Sequence, residues 1–283
     1  MSQSQSPATL SDLLQVQTTE TELSFVGDSF AYGDHRMVYG GHFLGQALSA
    51  AFQTVSETKC AHSLHAYFLA AGDPDAEIHY RVTRLRDGGR SQVRDIAASQ
   101  GDRRVFQMQA SFKEPEQTND HHQRQMPEVP TPEQTVARNA ADERGFNFPM
   151  TQAGLALVEL ISDTFFPDTF TPGREPKLAC WMRVPHAQNL TVQQQQCLIA
   201  FLGDGTLMFN SILPYGVPFQ SHRMTSLDHA MWFHQHTDAD EWLLFDQCSL
   251  AVDDSRGLNQ GEIFDRAGRL IASCTQESML RPM

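Results

Sequence analysis

What this sequence has little of narrows it first. Five cysteines in 283 residues, Cys60, Cys180, Cys197, Cys248 and Cys274, form an odd set with no C-x-x-C spacing, which excludes a disulfide framework and a zinc knuckle. Several lie in apolar strings and read as buried thiols of a reducing compartment. Basic side chains are scarce, 21 Lys and Arg against 34 Asp and Glu, for a formal charge of -13. Nucleic acid and anionic membrane surfaces need basic patches and are excluded as partners, whereas small anions met by a few local Arg residues remain open. No apolar run reaches the ~18 residues of a membrane span. The start MSQSQSPATLSDLLQ lacks the basic and apolar segments of a leader, so the expectation is a cytoplasmic protein with no stable membrane insertion. There is no G-x-S-x-G for a nucleophile elbow, and no cysteine has the Gly-rich or cationic neighbours that would lower its pKa. His222, His229, His234 and His236 lie near Asp238 and Asp240 without H-E-x-x-H spacing, so neither a metal nor a cofactor is expected.

What is present is a core. The apolar fraction is 40% with 18 Phe, enough for one large domain or two of ordinary size. Phe43, Leu44, Ala47, Leu48, Ala51, Phe52 and Val55 recur at helical spacing from Gly41 onward, and the small Gly45, Ser49 and Ala50 on the other face allow close approach of a sheet. A second helix is expected from Val192 to Phe209, with Thr191 and Gln194 at capping-box spacing. Its apolar residues cover more than one side, so it too should be wrapped by other structure. Asp204 stands inside this run. Two readings stay open: a desolvated carboxylate turned into a base, or a turn residue between Gly203 and Gly205 that faces water.

The remaining elements fall around these helices. A short helix is expected over Ser11–Val16 with Ser11 as cap, then a strand at Leu23–Val26. Strands are expected over Ser63–Leu69, Ile78–Val82, Gln92–Ser99 and Arg104–Phe112, the last two flanking a Gly101-Asp102 turn. A polar, proline-bearing linker follows, with a helix from Thr131 to about Arg144, an irregular segment at 146–176, and a strand at Leu178–Val184. The second half repeats the first. Ser63-Leu64-His65-Ala66-Tyr67-Phe68 answers Ser226-Leu227-Asp228-His229-Ala230-Met231-Trp232-Phe233, and Asp102-Arg103-Arg104-Val105-Phe106 answers Gly268-Arg269-Leu270-Ile271 at nearly equal spacing. Two units, each a buried helix wrapped by an antiparallel sheet, make an α+β double hot-dog fold with one continuous sheet. The expected division is 1–115, a linker with connecting helix at 116–176, and 177–283.

Three strings then carry a resemblance: YGGHFLGQAL from Tyr39, LDHAMWFH from Leu227 with Glu241-Trp242-Leu243-Leu244, and the ending Ala272-Ser273-Cys274-Thr275-Gln276-Glu277. Over nearly its whole length, least in 113–176, the chain resembles the acyl-CoA thioesterase II (TesB-like) family. The resemblance implies a hydrolase that cleaves fatty acyl-CoA to free fatty acid and coenzyme A, with an attacking water held by Asp204, Ser226 and Gln276. The family usually has Thr where this chain has Ser226. Without the resemblance, Ser226 reads as a strand-start hydroxyl and Gln276 as a solvent-facing strand residue. Backbone N–H groups at Gly40, Gly41 and Gly45 are the candidates for the oxyanion. Arg90 and Arg256, with Arg86 and Arg94, are candidates for coenzyme A phosphates, although most surface Arg residues bind nothing. His65 completes the substrate-contact candidates; its repeat position matches His229, which favours a structural hydrogen-bonding role for both. Trp232, Phe233 and Trp242 read as core or subunit contacts. A hydratase or dehydratase on the same scaffold, and a non-catalytic acyl-CoA or lipid-binding module, are the alternatives. Exposed sheet edges imply a homo-oligomer, a dimer or tetramer.

Overall fold

Apolar helices without a polar face need cover on every side, and a single long sheet provides it. The computed structural model describes residues 9–29, 31, 37–141, 150–152, 155–162 and 173–283. In the first half α1 (Leu10–Leu14), β1 (Gln17–Thr18) and β2 (Ser24–Gly27) lead to α2 (Gly40–Phe52), then β3 (Cys60–Phe68), β4 (Ile78–Asp87), β5 (Ser91–Gln100) and β6 (Arg103–Lys113). An extended linker leads to α3 (Pro132–Ala141), β7 (Met150–Gln152), β8 (Leu155–Ile161) and β9 (Lys177–Arg183). The second half then gives α4 (Val192–Leu202), a 3-10 segment (Leu207–Ser211), β10 (His222–Ser226), β11 (Asp228–Phe233), β12 (Leu243–Asp253), β13 (Arg256–Phe264) and β14 (Leu270–Pro282).

The sheet runs β1-β2-β4-β5-β6-β3-β11-β14-β13-β12-β9-β8-β7, with β10 on β14. Read outward from its centre, each half repeats one order: β3, β6, β5, β4, β2 on one side and β11, β14, β13, β12, β9 on the other. The halves join where β3 pairs antiparallel with β11, Leu64 opposite Met231 and His65 opposite Ala230. The sheet curls around α2 and α4, which pack together as the expected double hot-dog. Every residue of α2 from Gly41 to Phe52 except Ser49 is buried. On α4 both residues of the capping box close, Gln194 N donating to Thr191 Oγ1 at 3.2 Å and Thr191 N to Gln194 Oε1 at 2.9 Å.

Several expectations are corrected in detail. The α1 cap is Thr9, not Ser11: Asp12 N donates to Thr9 Oγ1 at 3.2 Å and Thr9 N donates to Asp12 Oδ2 at 2.9 Å, while Ser11 is buried in the first turn. Helix α2 ends at Phe52, and just beyond it Arg94, itself buried, donates to Thr54 O and Thr54 Oγ1 at 2.8 Å each and to Asp87 Oδ1 at 2.6 Å. Arg94 is thus occupied within the fold and not a phosphate ligand. Residues 150–152 and 155–161, expected to be irregular, are strands; β8 pairs with β9 and extends the second sheet. Helix α3 is described to Ala141, so its expected end at Arg144 and residues 146–149 and 163–172 lie outside the described residues. The linker is held down: Gln123 Nε2 donates to Gly268 O at 2.6 Å, and Trp181 Nε1 donates to Pro130 O at 2.8 Å.

The helix pair depends on Gly45. A Cβ there would lie 2.8 Å from Leu14 Cδ1 and 3.2 Å from the Cys197 carbonyl oxygen, so α1 and α4 both press on it. Gly45→Ala is expected to lower stability by about 1–3 kcal/mol through overpacking, read as a lower denaturant midpoint. An unchanged midpoint would show that α1 yields at no cost.

Candidate active site

Helix α4 ends at Leu202, two residues before Asp204. Gly203 is its cap, and a Cβ there would crowd the flexible end of the Met231 side chain. The expected helix to Phe209 is broken into α4, a turn at 203–205 and the 3-10 segment. The turn reading of Asp204 holds for the backbone and fails for the solvent: Asp204 is 5% exposed. The turn sets its carboxylate against the N-terminus of α2, from the other half of the chain.

Two donors meet that carboxylate. Gln276 Nε2 donates a short hydrogen bond to Asp204 Oδ1, and the Gly41 backbone N–H donates to the carboxylate. A Cβ on Gly40 would lie 2.6 Å from Asp204 Oδ2 and 2.9 Å from the Phe68 ring; one on Gly41 would overlap the Phe201 carbonyl oxygen. These glycines admit the carboxylate to the positive end of the helix. The Gly41 N–H expected for an oxyanion is thereby committed to Asp204, and Gly45 serves helix packing. The helix ends are tied directly as well, because Tyr39 Oη donates to the Phe201 carbonyl at 2.8 Å, a carbonyl of the last turn of α4. Burial pushes the Asp204 pKa up to about 6, and the bonds from Gln276 and Gly41 hold it from rising further.

The floor of the site is built by an irregularity between β10 and β11. Ser226 is paired with Ser278 of β14, and the register Ala230 to Thr275, carried one step, brings His229 beside Gln276. Three steps along one strand therefore match two along the other, a bulge that turns both Ser226 and His229 to the inner face. Asp228 supports the bulge: its Oδ1 accepts the Glu277 N–H at 2.7 Å. Ser226 is half-buried, and among the described residues no hydrogen bond joins its hydroxyl to Asp204 or Gln276. Buried Gln276, at 0% exposure, is far from the solvent-facing strand residue of the bare sequence reading.

His229, for which the sequence suggests a structural hydrogen-bonding role and no place in the site, lies within it. It is buried, its Nδ1 lies 3.4 Å from Gln276 Nε2, and burial drives its pKa down to about 3, so it is neutral. The repeat alignment of His65 with His229 slips by one residue, and a slip of one reverses the face. His65 is exposed on the outer side of the sheet, edge-on to Trp232 at 5.4 Å. Arg90 is exposed in the β4–β5 turn, toward the end of α2 beyond which Arg94 holds Thr54, whereas Asp204 sits at the other end of this 13-residue helix, ~20 Å away. Arg256 lies at the start of β13 with Glu277 at 2.9 Å and Asp254 at 3.6 Å.

Because the folded-state pKa of Asp204 lies above the usual 3.8, the folded chain holds this proton more tightly than the unfolded chain. Burial of the charged form thus costs nothing below about pH 4 and is fully felt above about pH 6, on the order of 3 kcal/mol. Asp204→Asn removes that cost, so the unfolding free energy of the variant minus that of the parent should climb between pH 4 and pH 7 in denaturant titrations. A flat difference would show that Asp204 ionises as easily folded as unfolded.

Comparison with known proteins follows the same two halves. The model of the acyl-CoA thioesterase N-terminal domain matches residues 31–113, and that of the acyl-CoA thioesterase C-terminal domain matches residues 115–280. Acyl-coenzyme A thioesterase 8 of Homo sapiens is 32% identical over 281 residues, spanning 93% of this chain and 88% of its own. The crystal structure of an acyl-CoA thioesterase II, TesB2, from Mycobacterium marinum is 30% identical with a TM-score of 0.77, covering 96% of each chain. A protein of Alicyclobacillus acidocaldarius described as having a hot dog fold is 17% identical with a TM-score of 0.77 over 97% of this chain and 99% of its own, and speaks to the fold alone. With both halves matched in order by the two domains of one family, and Asp204 and Gln276 set where those halves meet, the chain belongs to the acyl-CoA thioesterase family.

Proposed function

We propose that the protein hydrolyses fatty acyl-CoA to free fatty acid and coenzyme A by a water that Asp204 activates. The observation that carries this reading is the buried Asp204 carboxylate, with a pKa of about 6, bonded to Gln276 and to the N-terminus of α2. A carboxylate so placed is ionised at neutral pH and more basic than one in water, which suits a general base. A thioester carbonyl is electrophilic and its thiolate leaves readily, so no covalent intermediate is needed. The water oxygen adds to the carbonyl carbon as its proton passes to Asp204; the carbon–sulfur bond then breaks, and the proton is returned to the thiolate sulfur. Gln276 and the Ser226 hydroxyl orient the water, converting a solvent molecule into a held nucleophile. The field of the α2 N-terminus favours the negative charge that develops as the water adds.

The family membership supports this class of reaction. A hydratase would need a histidine base near the helix start. His42 is on α2, but its Nε2 lies 3.0 Å from Asp28 O and burial lowers its pKa to about 4. As finer parts of the same reading, we place the enzyme in the cytoplasm and assemble it as a homo-oligomer. Five free cysteines support the first, and Tyr67, 62% exposed on the outer face of β3, and Trp232, 38% exposed on β11, support the second.

Free-thiol release from acyl-CoA of several chain lengths tests the assignment. Asp204→Asn at equal folded concentration is expected to lose 10²- to 10⁴-fold in kcat while substrate binding survives. In the unmodified protein, kcat/KM should fall with acid along a limb centred near the Asp204 value of about 6, since the ionised form is the base. Turnover unaffected by the substitution would remove Asp204 from the mechanism, and saturable binding without turnover in either protein would favour the binding-module alternative.

A further inference from the structure

The reading above gives Gln276 a task that depends on which end of its carboxamide faces Asp204, and the structure contains a second group that decides this. The Nε2 atom carries two hydrogens. One is donated to Asp204 Oδ1, and the same nitrogen lies 3.4 Å from His229 Nδ1. An amide nitrogen only donates, so the imidazole must accept there, which requires Nδ1 bare and the proton on Nε2. The opposite tautomer would set two N–H groups against each other in a buried space. Nothing among the described residues bonds His229 Nε2, so its tautomer is set from the Gln276 side.

We propose that His229 is a positioning residue that, as the Nε2–H tautomer, accepts the second N–H of Gln276 and holds that amide with its nitrogen toward Asp204. This rests on the Asp204 water reading and adds a stage to it. An ionised Asp204 selects the amide nitrogen unaided. Once Asp204 has taken the proton from water, it becomes a donor as well, and an unconstrained amide would turn its oxygen inward to accept from it. That would trap the proton, which the mechanism needs to deliver to the thiolate sulfur. His229 opposes the turn because its Nδ1 lone pair would then face the amide oxygen, and relieving that would require the ring to move its proton from Nε2, a buried atom with no partner among the described residues to carry it. Burial, which keeps the ring uncharged with a pKa of about 3, preserves this acceptor across the working pH range. The titratable groups around the pair are few among the described residues. Cys274 lies beneath the 203–205 turn with its thiol pushed up by burial and by Asp204, Tyr39 is engaged with Phe201, and the Asp228 carboxylate is occupied by the Glu277 N–H.

Two variants and one direct observation test this. His229→Leu keeps the bulk and removes the acceptor; kcat is expected to fall on the order of 10- to 100-fold with KM little changed, as for a misaligned catalytic group. Its acid limb should move to higher pH, because an amide free to turn stabilises protonated Asp204. His229→Asn offers an oxygen near the place of Nδ1 and should bring the acid limb back toward that of the parent. A parent-like kcat and an unmoved limb in His229→Leu, with turnover lost in Asp204→Asn, would overturn the positioning role alone. Turnover retained in Asp204→Asn would overturn the water reading and this role with it. In the unmodified protein, nitrogen NMR of labelled histidine should show His229 Nδ1 unprotonated from pH 5 to pH 8. A proton on Nδ1, or a ring that titrates in that range, would overturn the proposal whether or not the variants fold.

Discussion

A carboxylate from one half of the chain buried against a helix N-terminus from the other is the contact on which the site depends. Removing Asp204 from water is costly, and only two N–H bonds and the helix dipole offset the cost. The compensation is incomplete by design of the geometry: fuller bonding would pull the pKa down to that of an inert ion, and none would leave the group protonated. Partial compensation leaves a value of about 6, within reach of both charge states near neutrality. The neighbouring features serve this contact. Gly40 and Gly41 let the carboxylate in, and Tyr39 fastens the end of α4 to the start of α2.

The two halves share an architecture and differ in chemistry. On the inner face of β11 and β14 stand His229 and Gln276, whereas the inner faces of β3 and β6 carry Leu64 paired with Ala110 and Ala66 paired with Met108, all buried and apolar. The polar cluster is thus confined to the second sheet, with the first contributing a helix end and a wall. Buried polar groups are tolerable only where they are bonded, and the first half keeps its own set apart from this cluster, Gln46 donating to Leu13 O at 2.8 Å and Arg94 to Thr54 O at 2.8 Å.

Much of this arrangement was legible in the residues. Helical spacing located α2, the Thr191 and Gln194 pair located the start of α4, and the Gly101-Asp102 turn located a hairpin, because each depends on contacts local in the chain. What depends on contacts distant in the chain was harder. Helix α4 stops at Leu202, with Gly203 as its cap, although the apolar run continues to Phe209. The strands at 150–152 and 155–161 are short and flanked by aromatics and prolines, so the pairing of the first with the second and of the second with β9 left little local trace. Arg94 resembled any surface arginine until its place under the C-terminus of α2 was visible. The inward turn of His229 comes from a bulge at residues 227–228, and an extra residue in a strand has no compositional mark. The residues alone leave Asp204 between two readings and make Gln276 a solvent-facing strand residue; the family resemblance names both for the site.

The covalent join between the halves has a further meaning. In an assembly of identical single hot-dog chains, a substitution appears at every symmetry-related position, so a change that improves one face of the sheet is imposed on its counterpart. Here Leu64 and Ala110 can vary without touching His229 or Gln276, although the strands that carry them remain partners across β3 and β11. The first half is therefore free to vary its side of the core while the second keeps Asp204, His229 and Gln276 fixed, so that evolution or an engineer can alter the two separately.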